Sequence, residues 1–429
     1  MKAGFYTIMA AQFCSSLADN ALLISAIALL SLMNEPAWMT PALKMCFVLS
    51  YVVLAPLVGA FADSMAKGRV MLITNGIKVI GCALMLFTLH PLAAYAVVGF
   101  GAAAYSPAKY GILTELLPPQ QLVVANGWIE GTTVLSIILG VLTGGALIHP
   151  KVATILLGFD LPLIDTGIDT APEAAIMVIM LFYVAAAIFN WFIPDTGVDH
   201  RMVNRNPISL TREFWHCNML LWRDRLGQVS LATTTLFWGA GATLQFIVLK
   251  WAEAALGFDI SKASMLQGVV AAGIALGAVV AAKWVSLRAS VRVLPIGITM
   301  GFVVMVMIFV HSLPIAVVLM IAIGACAGFF VVPMNALLQH RGHVLMGAGH
   351  SIAVQNFNEN IGILLMLGLY ATLAQIKVPV NAVIVAFGFF VAAIMALVLV
   401  RHRSNQTHHD SLHLIGIEKS HHVQGQEVH

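Results

Sequence analysis

Long apolar runs separated by short polar breaks make up most of this chain. A membrane-spanning helix needs about 20 consecutive apolar residues, and most of the runs reach that length. The pattern predicts twelve helices, at residues 5–32, 42–62, 70–89, 92–112, 122–148, 174–193, 227–256, 263–285, 292–310, 313–337, 346–374 and 380–400. We therefore expect an all-α integral membrane fold.

The longest polar break divides these helices into two sets of six. We predict an N-terminal six-helix bundle at 1–193, a linker at 194–226, a C-terminal six-helix bundle at 227–400 and a disordered, His-rich tail at 401–429. Most of the lysines and arginines lie in the linker, in the tail and in the connections that follow the even-numbered helices. Loops rich in basic residues usually stay in the cytoplasm, so we place all of these segments there. Both termini are therefore expected in the cytoplasm.

The composition supports this class of fold. Hydrophobic residues make up 60% of the chain and charged residues 10%, whereas a soluble domain carries roughly 25% charged residues. The net charge of +3 is spread over loops without a basic stripe, which argues against nucleic-acid binding. The five cysteines have neither metal-ligand nor redox spacing, so we expect no metal and no cofactor.

Ionisable residues inside predicted helices are candidates for function because each is costly in a membrane. Asp19, beside Asn20, lies in the middle of helix 1, and Glu130 and Glu359 lie in helices 5 and 11. Asp19 is expected either to bind a cation, a proton or a cationic head group, or to form a buried ion pair with a neighbouring helix. Lys78 and Lys250 lie nearer to helix ends, where a lysine side chain by default snorkels to the interface. Lys250 is nevertheless kept as a candidate, because helix 7 faces helix 1 in an arrangement of two bundles.

A polar run in helix 11 predicts a lining surface rather than a lipid-facing one. Within residues 355–360, Gln355 and Glu359 are one turn apart and share a face, as do Asn356 and Asn360. The run is expected either to contact substrate in a cavity or to form hydrogen bonds between helices.

Residues 99–111 combine small residues with Tyr105, Pro107 and Lys109. The proline predicts that helix 4 kinks or ends there, which would place Lys109 near the cytoplasmic mouth. Lys109 would then either meet a phosphate as a point charge or act as a positive-inside anchor.

The connection between helices 2 and 3 contains Asp63, Lys67 and Arg69. A carboxylate at one helix end with basic residues before the next predicts a charge latch that stabilises one conformation. This arrangement resembles the signature of the major facilitator superfamily, and the twelve helices with a central linker fit that superfamily too.

More specific segments resemble the bacterial lysophospholipid transporter family. They lie in the same order along the chain at 11–23, 62–71, 101–113, 237–241, 328–339 and 353–360. The resemblance implies an inner-membrane flippase that delivers lysophospholipids such as lysophosphatidylethanolamine to the cytoplasmic leaflet, where a separate acyltransferase remakes diacyl lipid. It also implies that Asp19 and Lys109 engage substrate or couple conformational change. Tyr105, Glu130 and the polar run of helix 11 are kept beside them as candidates for the same roles.

One position departs from the family pattern. Gln245 stands in helix 7 where the resemblance leads one to expect an arginine, and Lys250 lies about 140° around the helix from it. Both residues are kept as candidates for substrate binding or coupling.

The alternative function is a proton-coupled drug exporter of the same fold. Its motifs are incomplete here, because Tyr95 stands where many such exporters have an arginine and Val141 where their helix 5 motif has a proline. An acyltransferase is disfavoured, since no histidine is followed by an aspartate five residues later. We therefore predict a transporter rather than an enzyme, working by rocking of the two bundles around a polar cavity.

Overall fold

A computed structural model of the chain describes residues 3–35, 39–87, 89–158, 168–197, 206–258, 260–408 and 415, and these form an all-helical protein. The helices are α1 (Ala3–Leu32), α2 (Met39–Val53), α3 (Ala55–Asp63), α4 (Lys67–Phe87), α5 (Pro91–Leu116), α6 (Leu122–Leu147), α7 (Pro150–Leu157), α8 (Ala171–Trp191), α9 (Pro207–Arg223), α10 (Gly227–Leu256), α11 (Ile260–Trp284), α12 (Leu294–Met305), α13 (Leu313–Met346), α14 (Ala348–Gln375) and α15 (Val380–His408). Short 3₁₀ turns precede α6 and flank α12.

The predicted helix 42–62 is wrong as one continuous helix. It is broken into α2 and α3, which meet at an angle of 63° next to Leu54. Pro56 lies in the first turn of α3. A proline in this place has no N–H for a helical hydrogen bond to the preceding turn and its ring crowds that turn, so the chain bends.

Within the described residues, ten helices are long and apolar enough to cross a membrane, and the bent pair α2 and α3 adds an eleventh candidate. The 26-residue α5 is not among them. It carries Tyr95, Tyr105, Pro107 and Lys109, which lower its mean hydropathy, and most of its residues are buried against other helices. Protein contacts therefore compensate for the polar residues of α5.

Three helices run further than the sequence pattern predicts. α5 continues through Pro107 to Leu116, so the helix does not end at the proline. α13 extends to Met346, nine residues past the predicted end at 337, because polar residues of its last turns are buried and paired inside the protein. α15 continues to His408, so residues 401–408 are helical where a disordered tail was expected. Apart from Ile415, the rest of the predicted tail lies outside the described residues.

The helices pack as two groups, α1–α8 and α10–α15. In the first group α1 packs against α6 and α8, and α4 packs against α5 and α8. In the second, α11 packs along α13 so closely that a Cβ on Gly277 would overlap the carbonyl oxygen of Ala325. Glycine at such a contact lets two membrane helices approach through their backbones. The groups meet where α3 and α5 contact α14 and where α6 contacts α11 and α13.

The linker between the groups contains a helix that the sequence pattern did not indicate. Asn206 caps α9 by accepting a hydrogen bond from the backbone N–H of Ile208 at 3.1 Å, and Pro207 occupies the first turn. Leu210, Phe214 and Leu221 form the buried face of α9, which packs on α3 and α14. We refer to this end of the molecule as the linker side.

Candidate functional site: a central cavity and its linker-side closure

A cavity of about 350 Å³ lies between the two groups of helices. Side chains from α1, α2, α4, α5 and α6 line one part of its wall, and side chains from α10, α13 and α14 line the other. Many of these side chains are polar although they lie on apolar helices, as expected of a site at the interface of two bundles. Among the predicted site residues, the lining includes Asp19, Asn20, Tyr105, Lys109, Gln355, Asn356 and Glu359.

Asp19 is held by an ion pair inside the first group. The Nζ atom of Lys78 lies 2.8 Å from Oδ1 and 2.9 Å from Oδ2 of Asp19, and the hydroxyl of Tyr183 donates to Oδ1 at 2.7 Å. Lys78 also donates to the hydroxyl of Ser15 at 3.0 Å. Of the two readings that the sequence left open for Asp19, the structure contains the buried pair, with the carboxylate still lining the cavity.

The expectation that Lys78 snorkels to an interface is wrong. Its side chain is only 1% exposed, because α4 begins at Lys67 and ends at Phe87 and so places Lys78 near its middle. The Nζ atom lies 5.0 Å from the ring centroid of Tyr105 and 5.4 Å from that of Tyr183. Two aromatic faces and one carboxylate thus replace the water that the ammonium lost.

The polar run at 355–360, predicted in helix 11, belongs to α14, and its side chains face either the cavity or α9. Gln355 donates to the side-chain oxygen of Asn335 at 3.1 Å and to Glu359 at 2.7 Å, and all three residues line the cavity. Asn356 donates to the hydroxyl of Ser106 on α5 at 2.9 Å, which joins the two groups across the cavity. The residues between them in sequence, Phe357 and Asn358, face α9 instead.

Two lysines bring positive charge to the cavity besides Lys78. Lys109 lines the wall, and its Nζ atom lies 4.2 Å from the ring centroid of Tyr110. Lys44 of α2 also lines the cavity and is exposed. Sequence reasoning missed Lys44, although a lysine two residues inside the predicted helix 42–62 was a usable signal.

Two predicted site residues, Gln245 and Lys250, lie away from this cavity, and the side chain of a third, Glu130, is not described. The exposed amide of Gln245 donates to Gln267 at 2.9 Å, and Lys250 pairs with Glu253 one turn along α10 at 3.0 Å with 66% of its side chain exposed. Neither residue lines the cavity in the conformation described here. Glu130 belongs to α6, and its side chain lies outside the described part of the structure.

On the linker side, Asp63 and Lys67 of the predicted latch make contacts across to α14 and α5. Asp63 accepts hydrogen bonds from the backbone N–H groups of Gly349 at 2.7 Å and His350 at 3.1 Å, and from Nδ1 of His350 at 2.7 Å. Lys67 donates to Asp63 at 2.7 Å and lies 3.5 Å from Glu115. The carboxylate of α3 is thus bound to the N-terminus of α14, where free N–H groups and the helix dipole favour a negative charge.

Arg69 has no part in this latch. Its side chain is exposed and forms no ion pair with any residue that the structure describes. It follows Lys67 by two positions on α4, which turns it about 200° away from Lys67. In the conformation described here, Arg69 therefore lies outside the group of contacts that Asp63 and Lys67 form. His350 and Glu115 are the partners that sequence reasoning missed, because they come from helices distant in sequence.

Further contacts between the two groups reinforce the closure. Asn126 of α6 and Gln339 of α13 are buried and exchange two hydrogen bonds of 3.0 Å through their side-chain amides. Thr114 of α5 lies 3.3 Å from Nδ1 of His343 on α13. The structure is therefore closed between the cavity and the linker side.

Comparison with known proteins agrees with this architecture. The chain matches the family model described as Major Facilitator Superfamily over residues 8–367. It is 44% identical over 383 residues to a Yersinia enterocolitica protein named lysophospholipid transporter LplT, and the match covers 89% of this chain and 90% of the relative.

Solved structures share the fold at low sequence identity. The human organic anion transporter MFSD10 superimposes with a TM-score of 0.69 at 16% identity, covering 94% of this chain and 100% of that one. The transporter FucP in its outward conformation gives a TM-score of 0.69 at 12% identity, covering 94% of this chain and 98% of that one. At such identities the likeness establishes the fold alone.

Proposed function

Since the chain belongs to the lysophospholipid transporter family of the major facilitator superfamily, we propose that it moves lysophospholipids such as lysophosphatidylethanolamine across a bacterial inner membrane. The family expected from the sequence motifs is confirmed, and its members are transporters rather than enzymes. In this proposal the lipid is flipped toward the cytoplasmic leaflet, where a separate acyltransferase restores its second chain.

The observation that carries the proposal is the presence of both signs of charge around one cavity. Lys44 and Lys109 come from the first group of helices and Glu359 from the second, while Asp19 is shared with Lys78. A lysophosphatidylethanolamine head group carries a phosphate and an ammonium. We assign the phosphate to Lys44 and Lys109 and the ammonium to the carboxylates, because charge-assisted hydrogen bonds are the strongest available to such groups.

The size of the cavity suits the head group better than the whole lipid. Its volume of about 350 Å³ lies at the small end of ligand pockets, which run from about 300 to 1,000 Å³. The acyl chain therefore remains among apolar helix surfaces or in the bilayer while the head group crosses. Asn20, Tyr105, Gln355 and Asn356 supply the remaining polar wall around the head group.

Transport then requires the linker-side closure to open. In the proposed cycle the bundles 1–193 and 227–400 rock about the cavity, and the latch of Asp63 and Lys67 favours the conformation described here. Its bonds to the N-terminus of α14 have to break before the head group leaves on that side. With α5 counted as a span, the chain crosses the membrane twelve times, with both termini and the linker in the cytoplasm.

The experiment is uptake of fluorescent lysophosphatidylethanolamine by proteoliposomes containing the full chain. Lys44→Gln and Lys109→Gln are each expected to raise KM roughly 10-fold or more, because each removes a hydrogen bond to a charged group worth about 1.5–3 kcal/mol. Lys250→Gln is the matched control, since it removes a lysine that is exposed and outside the cavity.

The outcomes separate the two candidate functions. A raised KM in the cavity variants, with a normal KM in the control, supports the head-group assignment. No uptake of any lysophospholipid by the wild-type protein, together with efflux of hydrophobic cations driven by a pH gradient, would overturn the proposal in favour of a proton-coupled exporter.

A further inference from the structure

The outer face of the linker helix α9 carries an apolar strip. Ile208, Trp215, Met219 and Trp222 are exposed to 80%, 50%, 49% and 38%. At 100° per residue these four side chains fall within an arc of about 60°. The strip lies outside the fully buried face of α9, and each of its four side chains stays at least 38% exposed even though Trp215 and Trp222 touch α14.

A basic flank runs beside this apolar strip. Arg212, His216 and Arg223 are exposed and fall within an adjacent arc of about 40°. The one acidic residue of α9, Glu213, lies beyond this flank, where its carboxylate is 3.7 Å from Nε2 of His350. The outer face of α9 is therefore divided lengthwise into an apolar strip and a positively charged one.

The apolar strip continues the outward surface of α14. Trp215 packs edge-on against Phe357 with ring centroids 5.5 Å apart, and Nε1 of Trp222 donates to Asn358 at 3.1 Å. Leu365, seven residues after Asn358, is 69% exposed and points in nearly the same direction from the helix. Because Leu365 is apolar, exposed and outside the central cavity, we expect this face of α14 to meet lipid.

We propose that the outer face of α9 is a membrane-docking surface that binds anionic phospholipid head groups on the linker side. The apolar strip enters the boundary between head groups and acyl chains, and Arg212 and Arg223 pair with the phosphates of anionic lipids. Tryptophan beside an arginine-bearing flank is the composition of helices that lie in the membrane interface. This site is separate from the central cavity and needs no transported substrate.

The test uses the full-length protein in nanodiscs made of phosphatidylcholine with a minor fraction of phosphatidylglycerol. The photocrosslinker p-benzoylphenylalanine is incorporated in place of Met219 on the apolar strip or, in a parallel sample, in place of His216 beyond the arginines. Each background is examined with its arginines intact, as Arg212→Gln/Arg223→Gln, and as Arg288→Gln/Arg292→Gln. The last pair removes the same charge from exposed arginines of the connection between α11 and α12.

The expected result is more lipid capture at position 219, on the apolar strip, than at position 216 on the far edge of the basic flank, and enrichment of phosphatidylglycerol over its bulk fraction. One arginine at an anionic membrane surface changes the local affinity roughly fivefold. Arg212→Gln/Arg223→Gln should therefore abolish the enrichment, whereas Arg288→Gln/Arg292→Gln should preserve it. Size-exclusion profiles that match the wild type establish that each variant is folded.

Three results would overturn the inference. One is the absence of lipid adducts at position 219. Another is a protein adduct in place of lipid, which would identify the strip as a contact between chains. The third is an equal loss of phosphatidylglycerol enrichment in Arg212→Gln/Arg223→Gln and in Arg288→Gln/Arg292→Gln, which would mean that the net charge of the protein, and not the face of α9, attracts the anionic lipid.

Discussion

The buried pair of Asp19 and Lys78 leads to an unequal response when either charge is removed. Lys78 is 1% exposed, whereas the side chain of Asp19 is 20% exposed to the cavity and also accepts a hydrogen bond from Tyr183. Asp19→Asn leaves an almost fully buried ammonium without its counter-charge, and breaking a buried pair in this way costs about 3–5 kcal/mol. Lys78→Met leaves a carboxylate that is still bonded by Tyr183 and reached by cavity water, so we expect a smaller loss of about 1–3 kcal/mol.

The double variant separates stability from transport. Asp19→Asn/Lys78→Met removes both charges and replaces the lysine with an apolar side chain of similar length. Replacing a buried ion pair with uncharged groups is often neutral, so the double variant is expected to be more stable than Asp19→Asn alone. If it folds but does not transport, the pair contributes to transport and not only to folding.

The assay is the temperature at which half of the purified protein leaves the monodisperse size-exclusion peak, followed by uptake in proteoliposomes. The expected order of stability is wild type, double variant, Lys78→Met and then Asp19→Asn. A double variant less stable than Asp19→Asn would refute the argument, because it would mean that the uncompensated ammonium is not the source of the loss. Equal stability of Asp19→Asn and Lys78→Met would refute the argument that cavity water stabilises the carboxylate left by Lys78→Met.

Three further predictions concern the linker side. Gly349→Ala places a Cβ 2.5 Å from the carboxylate of Asp63, so it should destabilise the closed conformation by about 1.4 kcal/mol and lower uptake roughly 10-fold. Gly368→Ala on the same helix meets no atom within 4 Å and should transport normally. Equal uptake by the two variants would contradict a role for the close approach at Gly349. Asn126→Ala leaves the buried amide of Gln339 without its partner on α6 and should weaken the closure by about 1–3 kcal/mol. Cysteine-labelling rates on the linker side would measure this opening, and unchanged rates would exclude the amide pair from gating. Arg341→Lys keeps the charge but loses the paired hydrogen bonds of 3.2 and 2.7 Å to the carboxylate of Asp224, which follows α9. The melting temperature should therefore fall measurably. A lysine variant as stable as the wild type would show that the charge alone is sufficient.

Much of the fold follows from the sequence because helix formation in a membrane depends on local composition. Apolar runs of sufficient length must satisfy their backbone hydrogen bonds internally, so they form helices wherever they occur. The boundaries of α1, α10 and α14 therefore lie within a few residues of the pattern. The pattern failed at α2 and α3, and at the ends of α13 and α15, where a proline or a buried polar contact decides the path of the chain.

The candidate site, like the fold, could be predicted from the sequence only in part. The rarity of charge in apolar runs was enough to single out Asp19 and Glu359, which line the cavity, and the segment around Pro107 pointed to Lys109. The short spacing of Asp63 and Lys67 was enough to predict a latch. The sequence could not say which lysine pairs with Asp19, because Lys78 lies 59 residues away and is brought to it only by the packing of α4 on α1.

By itself, then, the sequence determined that this is an all-helical membrane transporter with a few costly charges that require partners. Only the tertiary structure decided who those partners are. It placed Lys78 and Lys44 at the cavity, bound Asp63 to the N-terminus of α14, and left Gln245, Lys250 and Arg69 outside. The physical reason is that helix formation depends on neighbours in the sequence, whereas the cost of a buried charge is offset by whatever distant helix packs against it.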